Sequence, residues 1–235
     1  MADKMCLKLK GLTFETRYVE YPDIEPFQKE NGFEPTSIKP DGSSFYTLPA
    51  IFDPSTGAKV TDSWNIAIYL DKTYPNTPKV MPTGTLSLQR AWVDTAFSYL
   101  VLSFPFIAAL GVAQMTPRSV PHFRRLGEFL TGKPFDEILP QGEEAIVMWA
   151  KLKEAMGKID AWYFAGETEL ESVGKEKGPF VGGGTPLFAD IVVIAYLLGQ
   201  RRAWGEQGEK WIEVCTWHGG RWGRLVAQAE ELDIV

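Results

Sequence analysis

The stretch 43-SSFYTLPAIFDPSTGAKVTDSWNIAIYL-70 decides how the rest of the chain is read. It holds two short β-prone runs, "LPAIF" (48–52) and "KV" (59–60), joined by the turn composition "DPSTG", so a tight hairpin is expected. From Asp62 the apolar period becomes helical. Ser63, Ile66, Ala67, Leu70 and Tyr74 share one face, and the helix should end before Pro75. A second apolar pair, Trp64 and Ile68, lies on another face. A helix with two apolar stripes touches two neighbours, here a sheet on one side and a helical domain or a second subunit on the other.

Two positions in this stretch carry chemistry. Pro49 has no N–H to give to a ladder, so it belongs at a strand start or edge. The Leu48–Pro49 bond is either an ordinary trans bond there or a cis bond. A cis bond would turn the Leu48 N–H and C=O out of the sheet, where a peptide ligand docks as an added strand. Asp62 and Ser63 are favoured N-caps, and capping is one reading of the pair. The other reading uses the same physics: Ser63 at the positive helix end seats a carboxylate while Asp62 holds a nearby ammonium. An amino-acid zwitterion has that charge pair.

Upstream, "LTFETRYVEY" (12–21) alternates like a strand, and "PDIEPFQKENG" (22–32) starts with Pro and ends with Gly like a short helix. "FEPTSIKPDGSS" (33–44) reads as a loop. Downstream, "PNTPKVMPTGT" (75–85) is a linker, and everything after it reads helical. Trp149, Leu152, Met156, Ile159 and Tyr163 form an amphipathic stripe behind Glu143 and Glu144, which favour the dipole end. "ADIVVIAYLL" (189–198) is apolar all round, the mark of a helix surrounded by others. The expected architecture is a small α/β domain over 1–75 and an all-α domain over 86–235.

The uncharged run between Asp94 and Arg118 has the length of a membrane span. Ser98, Ser103, Pro105 and Gly111 interrupt it and no basic cluster flanks it, so a buried helix kinked at Pro105 is expected and a membrane is not. The chain has 235 residues, 45% of them apolar and 23% charged, with a formal charge of −6. That balance argues against a nucleic-acid surface. Cys6, Cys215, His122 and His218 offer no metal-ligand spacing, so no metal is expected. Two distant cysteines and an N-terminus without a long apolar core point to the reducing cytoplasm.

Residues 46–70, "YTLPAIFDPSTGAKVTDSWNIAIYL", resemble the glutathione-binding core of glutathione transferases, a thioredoxin-like half with a cis-proline turn and an acid–serine pair at its third helix. "GEEAIVMWAKLKEAMGKIDAWY", "GPFVGGGTPLFADIVVIAYLLG" and "EVCTWHGGRWGRL" resemble the helical half of the fungal-specific class A group, relatives of bacterial β-etherases. The resemblance implies that Leu48 and Pro49 present the backbone that holds the cysteinyl part of glutathione. Asp62 and Ser63 would hold its γ-glutamyl end, and Lys39 either contacts a ligand carboxylate or is a solvated loop lysine. Asp190 corresponds to the family's helix-capping acid, but Leu187 replaces the usual Ser or Thr three residues earlier. Asp190 must therefore cap without a reciprocal box.

The match departs from the family at the start. "KMCLKLKGLTFETRYVEYP" aligns with the end of the first helix and the second strand, so a first strand and a catalytic loop would lie before Met1. Alternatively, "KMCLKL" pairs as a strand with "TFETRYVEY". Cys6 is expected to be inert rather than catalytic, because a reactive cysteine precedes that helix. No catalytic residue is identifiable. The expected function is glutathione transferase chemistry, weak or absent without a thiolate-stabilising hydroxyl, with Trp92, Phe97, Tyr99 and Phe104 as candidate linings for a hydrophobic aromatic acceptor. The alternatives are a non-catalytic ligandin-type binder of aromatic compounds or a purely structural domain. A homodimer is implied by the resemblance, with Trp64 or Ile68 either in its interface or packed on the helical domain.

Overall fold

The computed structural model of the chain describes residues 1–39, 41–172 and 178–235, with side chains left aside at 166–172. Among the described residues four short strands form two antiparallel pairs: β1 (Ser37–Ile38) with β2 (Ser44–Phe45), and β3 (Ala50–Asp53) with β4 (Ala58–Thr61). The β3–β4 pair is the hairpin expected from "LPAIF" and "KV". The small β1–β2 pair falls in the stretch expected to be loop, 33–44, and runs one residue past it to Phe45. Around them stand α1 (Ala2–Leu9), α2 (Ile24–Glu30) and α3 (Ser63–Thr73). Ile66, Ala67 and Leu70 bury one face of α3, which packs against β3, β4 and α1. Its other stripe turns to the helical half, where the Trp64 ring meets Phe188 edge-on at 5.6 Å. Both neighbours expected of a two-striped helix are present.

The strand expected over 12–21 does not form. Residues 12–20 carry no regular structure and Tyr21 opens a single 3₁₀ turn, Tyr21–Asp23. Alternation suits a strand, but a strand also needs a ladder partner, and none of the described residues pairs with this segment. The pairing of "KMCLKL" with it is excluded, because those residues lie in α1, where Met5 and Cys6 are buried. The open edge of β3 belongs to the same picture. Asp62 N–H donates to the Pro49 carbonyl at 3.1 Å and Gly57 N–H to Asp53 at 2.8 Å. With that phase, Ile51 and Asp53 bond to β4, and the N–H and C=O of Ala50 and Phe52 face the other way.

The helical half comprises α4 (Leu86–Leu100), α5 (Phe104–Ala113), α6 (Val120–Thr131), α7 (Gly142–Ser172), α8 (Phe188–Trp204) and α9 (Glu209–Glu231). The single buried helix expected between Asp94 and Arg118 is instead two helices. They are separated by a 3₁₀ turn at Val101–Ser103, with Pro105 in the first turn of α5, where its missing N–H costs no bond. Leu86–Ala113 has the length and apolarity of a membrane span, and only 28% of its most apolar window is buried, so the expected burial is met on one face alone, where α4 packs on α7 and α8, and α5 on α6 and α8. The helix α8, apolar through most of 189–198, is the hub. It touches α1, α4, α5 and α9, and Ile191, Val193, Ile194 and Leu197 have no exposed surface. The α9 helix is broken at Trp217–Gly220, where His218, Gly219 and Gly220 take positive φ.

Two buried polar networks fasten the halves together. The Lys10 ammonium, fully buried, lies 2.6 Å from Asp71 and donates to Thr77 Oγ1 and the Pro78 carbonyl. Asp71 in turn accepts from Val80 and Met81 N–H, so α1, α3 and the 75–85 connection share one ion pair. The second network caps α8. Asp190, fully buried, accepts from Leu187 N–H at 2.8 Å and Val181 N–H at 2.9 Å. Leu187 has no acceptor to return, so only half of a capping box exists. Gln89 of α4 supplies the missing half, its Oε1 accepting from Ala189 N–H at 3.0 Å, while Phe188 N–H goes to the Val80 carbonyl.

Candidate functional site

Chain geometry brings Pro49 and Asp62 together. The Leu48–Pro49 bond is cis. Leu48, 41% exposed, offers an N–H and a C=O that have no hydrogen-bond partner among the described residues. The Pro49 carbonyl takes the Asp62 N–H, which joins the turn directly to the start of α3. Of the two readings of this proline, the one that turns the Leu48 backbone outward describes the structure.

At the start of α3 the capping reading holds, and it does not exhaust the site. Asp62 has a positive φ of 74°, uncommon for a residue with a side chain, and its Oδ1 accepts from Trp64 N–H at 3.0 Å and Asn65 N–H at 3.2 Å. Ile66 N–H closes on the Asp62 carbonyl. That is the first intrahelical bond; of the four orphan donors, Asp62 N–H goes to the Pro49 carbonyl and Trp64 and Asn65 N–H to Asp62 Oδ1, so Ser63 N–H remains. The Ser63 hydroxyl and Asp62 Oδ2 also lack partners among the described residues. One donor pair at the positive end of an 11-residue helix, one carboxylate oxygen and one open backbone N–H/C=O pair thus lie along a single connected backbone. The arrangement suits a short extended peptide that ends in a zwitterion.

Lys39 is not drawn into this group. It stands exposed in the turn between β1 and β2, with its ammonium 5.6 Å over the Phe45 ring. A residue that sequence reasoning passed over lies closer to the turn. Gln28 of α2, with no exposed surface, donates from Nε2 to the Thr47 carbonyl at 2.7 Å and so fixes the peptide just before Leu48. A lone glutamine in a short polar helix gives no signal in the sequence.

The aromatic candidates do not share a wall. Trp92 and Tyr99 both pack on Trp162, Phe97 packs on Tyr196, and Phe104 packs on Phe123. Phe104 alone of the four lines either of two shallow, open depressions, one of about 230 Å³ between α5, α6 and α7. The other, a groove of about 510 Å³, runs between α3 and α4. Trp64, Ile68, Leu86, Arg90 and Asp94 line it, and it begins one residue past Ser63. The Arg90 guanidinium lies 5.4 Å over Trp64 and pairs with Asp94 at 2.9 Å.

Cys6 behaves as a core residue. Burial, reinforced by Asp3 and Asp71, pushes its thiol far above the ordinary range, so thiolate chemistry is closed to it. Among the described residues no group of three or more His, Cys, Asp or Glu is placed to hold a metal ion.

Comparison with known proteins agrees with this geometry. The N-terminal domain of glutathione S-transferase matches residues 4–73, and its C-terminal domain matches residues 87–232. The glutathione S-transferase-like protein ustS of Aspergillus flavus is 28% identical over 233 residues, covering 94% of this chain and 79% of that protein. The glutathione S-transferase CsGST63524 of Ceriporiopsis subvermispora, solved in complex with glutathione, superposes with a TM-score of 0.88 at 36% identity. That alignment covers all of this chain and 90% of the other. Transferase GSTFuA2 of Phanerochaete chrysosporium gives 0.86 at 33% identity, covering 98% and 88%. With a thioredoxin-like half, an all-helical half and fungal relatives across its whole length, the chain belongs to the glutathione S-transferase family and sits with its fungal members.

Proposed function

We propose that this protein binds glutathione at the Leu48–Pro49 turn and the start of α3, and conjugates it to, or cleaves it from, hydrophobic electrophiles. The observation that carries the reading is the bond from Asp62 N–H to the Pro49 carbonyl. It holds an unpaired backbone N–H/C=O pair beside unpaired helix donors. In this reading Leu48 pairs with the cysteinyl backbone as an added strand would, and Pro49 keeps that edge open. Ser63 seats the γ-glutamyl carboxylate at the positive end of α3, and Asp62 Oδ2 faces the ammonium. Lys39, a surface lysine in the neighbouring turn, is left to the glycyl carboxylate. The division into a glutathione domain at 1–75 and a helical domain at 86–235 is supported by the two domain matches.

Conjugation requires a donor that stabilises the glutathione thiolate. No residue here is assigned that part, and slow turnover is the expectation. The 510 Å³ groove next to Ser63 favours a second reading, in which the chain holds hydrophobic aromatic molecules without chemistry. The same groove, apolar and flanked by exposed Leu86 and Leu88, is where a second copy would pack in a homodimer. A cytoplasmic, reducing setting suits both readings. Turnover of a chlorinated nitrobenzene with glutathione, alongside displacement of an aromatic dye by glutathione, separates them. Measurable conjugation supports the transferase. Dye binding that glutathione neither competes with nor consumes supports the binder and overturns conjugation.

A further inference from the structure

The Leu48–Pro49 turn is held from two sides, and the second side leads into the helical half. On one side Asp62 of α3 donates to Pro49. On the other, Gln28 of α2 donates to the Thr47 carbonyl, and Lys29 of the same helix lies 5.5 Å over the Tyr46 ring. Gln28 Oε1 has no partner among the described residues, so the Thr47 carbonyl is the one polar tie of that amide. The 3₁₀ turn leading into α2, residues 21–23, does not stand free. It is gripped by the segment joining α5 to α6, nearly a hundred residues away in sequence.

The grip has three parts. Arg118 makes a bidentate pair with Asp23, at 2.8 and 3.0 Å. Glu20 accepts from the Thr116 hydroxyl at 2.5 Å and from the buried Ser119 hydroxyl at 3.2 Å, and Tyr21 N–H donates to the same Ser119 oxygen at 3.3 Å. The Tyr21 ring lies 6.2 Å from Phe123 in the first turn of α6. Acidic groups on the α2 side therefore meet an arginine and two hydroxyls on the helical side. This contact is polar and half-exposed, unlike the dry packing of α1 and α3 on α8.

We infer that residues 116–119 form an interdomain clasp that positions the Leu48–Pro49 turn through α2. Glutathione affinity, on the proposed reading of that site, thereby depends on a salt-sensitive contact in the other half of the chain. Arg118 and Asp23 are positioning residues and touch no ligand. Opening the clasp frees α2, loosens the Gln28–Thr47 tie and lets the open edge at Leu48 wander, while the α1–α3–α8 core keeps the halves together.

The test is charge reversal with rescue: Asp23→Arg, Arg118→Asp and the double exchange, in the full chain. Hydrogen exchange is read by mass spectrometry on peptides covering residues 20–49, without any ligand. Each single reversal should speed exchange there by about three- to tenfold, as expected for a bidentate surface pair turned repulsive, and leave α8 unchanged. The double exchange should return it to within about twofold of the parent. In the parent chain, raising salt from about 0.05 to about 0.5 M should speed the same peptides, because the pair is exposed enough to be screened. Glutathione Kd should weaken and recover in step. Single reversals that leave residues 20–49 at parental rates, or a double exchange that does not restore them, overturn the clasp. A parent chain that binds no glutathione overturns the ligand assignment instead, and the exchange rates still decide the clasp.

Discussion

Replacing Gln89 by methionine isolates one hydrogen bond that sequence position hides. Gln89 is 4% exposed and makes three bonds: Nε2 to the Val80 carbonyl at 3.1 Å, Nε2 to Thr85 Oγ1 at 2.9 Å, and Oε1 from Ala189 N–H at 3.0 Å. Two of the three partners keep other bonds when the amide is removed. The Val80 carbonyl still accepts from Phe188 N–H, and Thr85 Oγ1 still donates to Pro82. Ala189 N–H, in a residue 1% exposed, is left with nothing. An orphaned buried donor costs about 1–3 kcal/mol, and methionine fills the glutamine volume without a cavity, so Gln89→Met should destabilise by that amount. In a chain of this size the melting temperature should fall by about 2–4 °C for each kcal/mol. Leu187→Ser supplies the reciprocal test. It introduces an N-cap hydroxyl able to accept from the second residue of α8, which is Ala189. In urea unfolding, Gln89→Met should therefore cost about 1 kcal/mol less in the Leu187→Ser background than in the parent. Strictly additive effects, or a Gln89→Met loss below about 0.5 kcal/mol, would refute the claim that Gln89 caps α8.

Breaking the buried pair by Asp71→Asn should cost about 3–5 kcal/mol in the same assay, because it strands the Lys10 ammonium in a site with no exposure. Lys10→Met should cost less, since Asp71 keeps its bonds from Val80 and Met81. Around Asp53, burial alone would raise the carboxyl, but hydrogen bonds from Ser55, Tyr69 and Tyr74 outweigh it and hold the group well below its usual value. A depressed carboxyl stabilises the fold above its unfolded pKa and loses that contribution as pH falls through the folded value. Tyr74→Phe should therefore cost about 1.5–3 kcal/mol at pH 7, and the difference from the parent should shrink steadily below about pH 4. Asp190 has the opposite sign. Burial raises it to about 6, so its ionisation opposes folding, and Asp190→Asn should compare more favourably with the parent at pH 7 than at pH 4 in denaturant titrations. Thiol-specific reagents should label half-buried Cys215 under native conditions and reach Cys6 only on unfolding.

Local rules made parts of this fold legible. The change of period at Asp62, the hairpin signal of "DPSTG" and the apolar run of α8 each rest on neighbours within a few residues, and each element formed where expected. The elements that were misread depend on distant partners. Residues 12–20 have the alternation of a strand and no ladder to join. The capping of α8 hides in Gln89, a hundred positions away. The break at Val101–Ser103 falls in an uncharged run where Pro105 signals a kink but periodicity does not mark where one helix stops and the next starts. The site divides in the same way. Leu48, Pro49, Asp62 and Ser63 stand out because a strand-edge proline and a helix cap are local signals. Gln28 and the contact between Arg118 and Asp23 gain meaning only when the chain is folded, and the aromatic residues Trp92, Phe97, Tyr99 and Phe104 share helical spacing without sharing a wall.

Isothermal titration of the purified chain with reduced glutathione, repeated on Ser63→Ala, addresses the central assignment directly. The expected outcome is saturable one-site binding, weakened about tenfold or more when the Ser63 hydroxyl is removed, as for a charge-assisted bond of about 1.5–3 kcal/mol. Equal affinity in the two proteins, or no heat of binding in either, would contradict it.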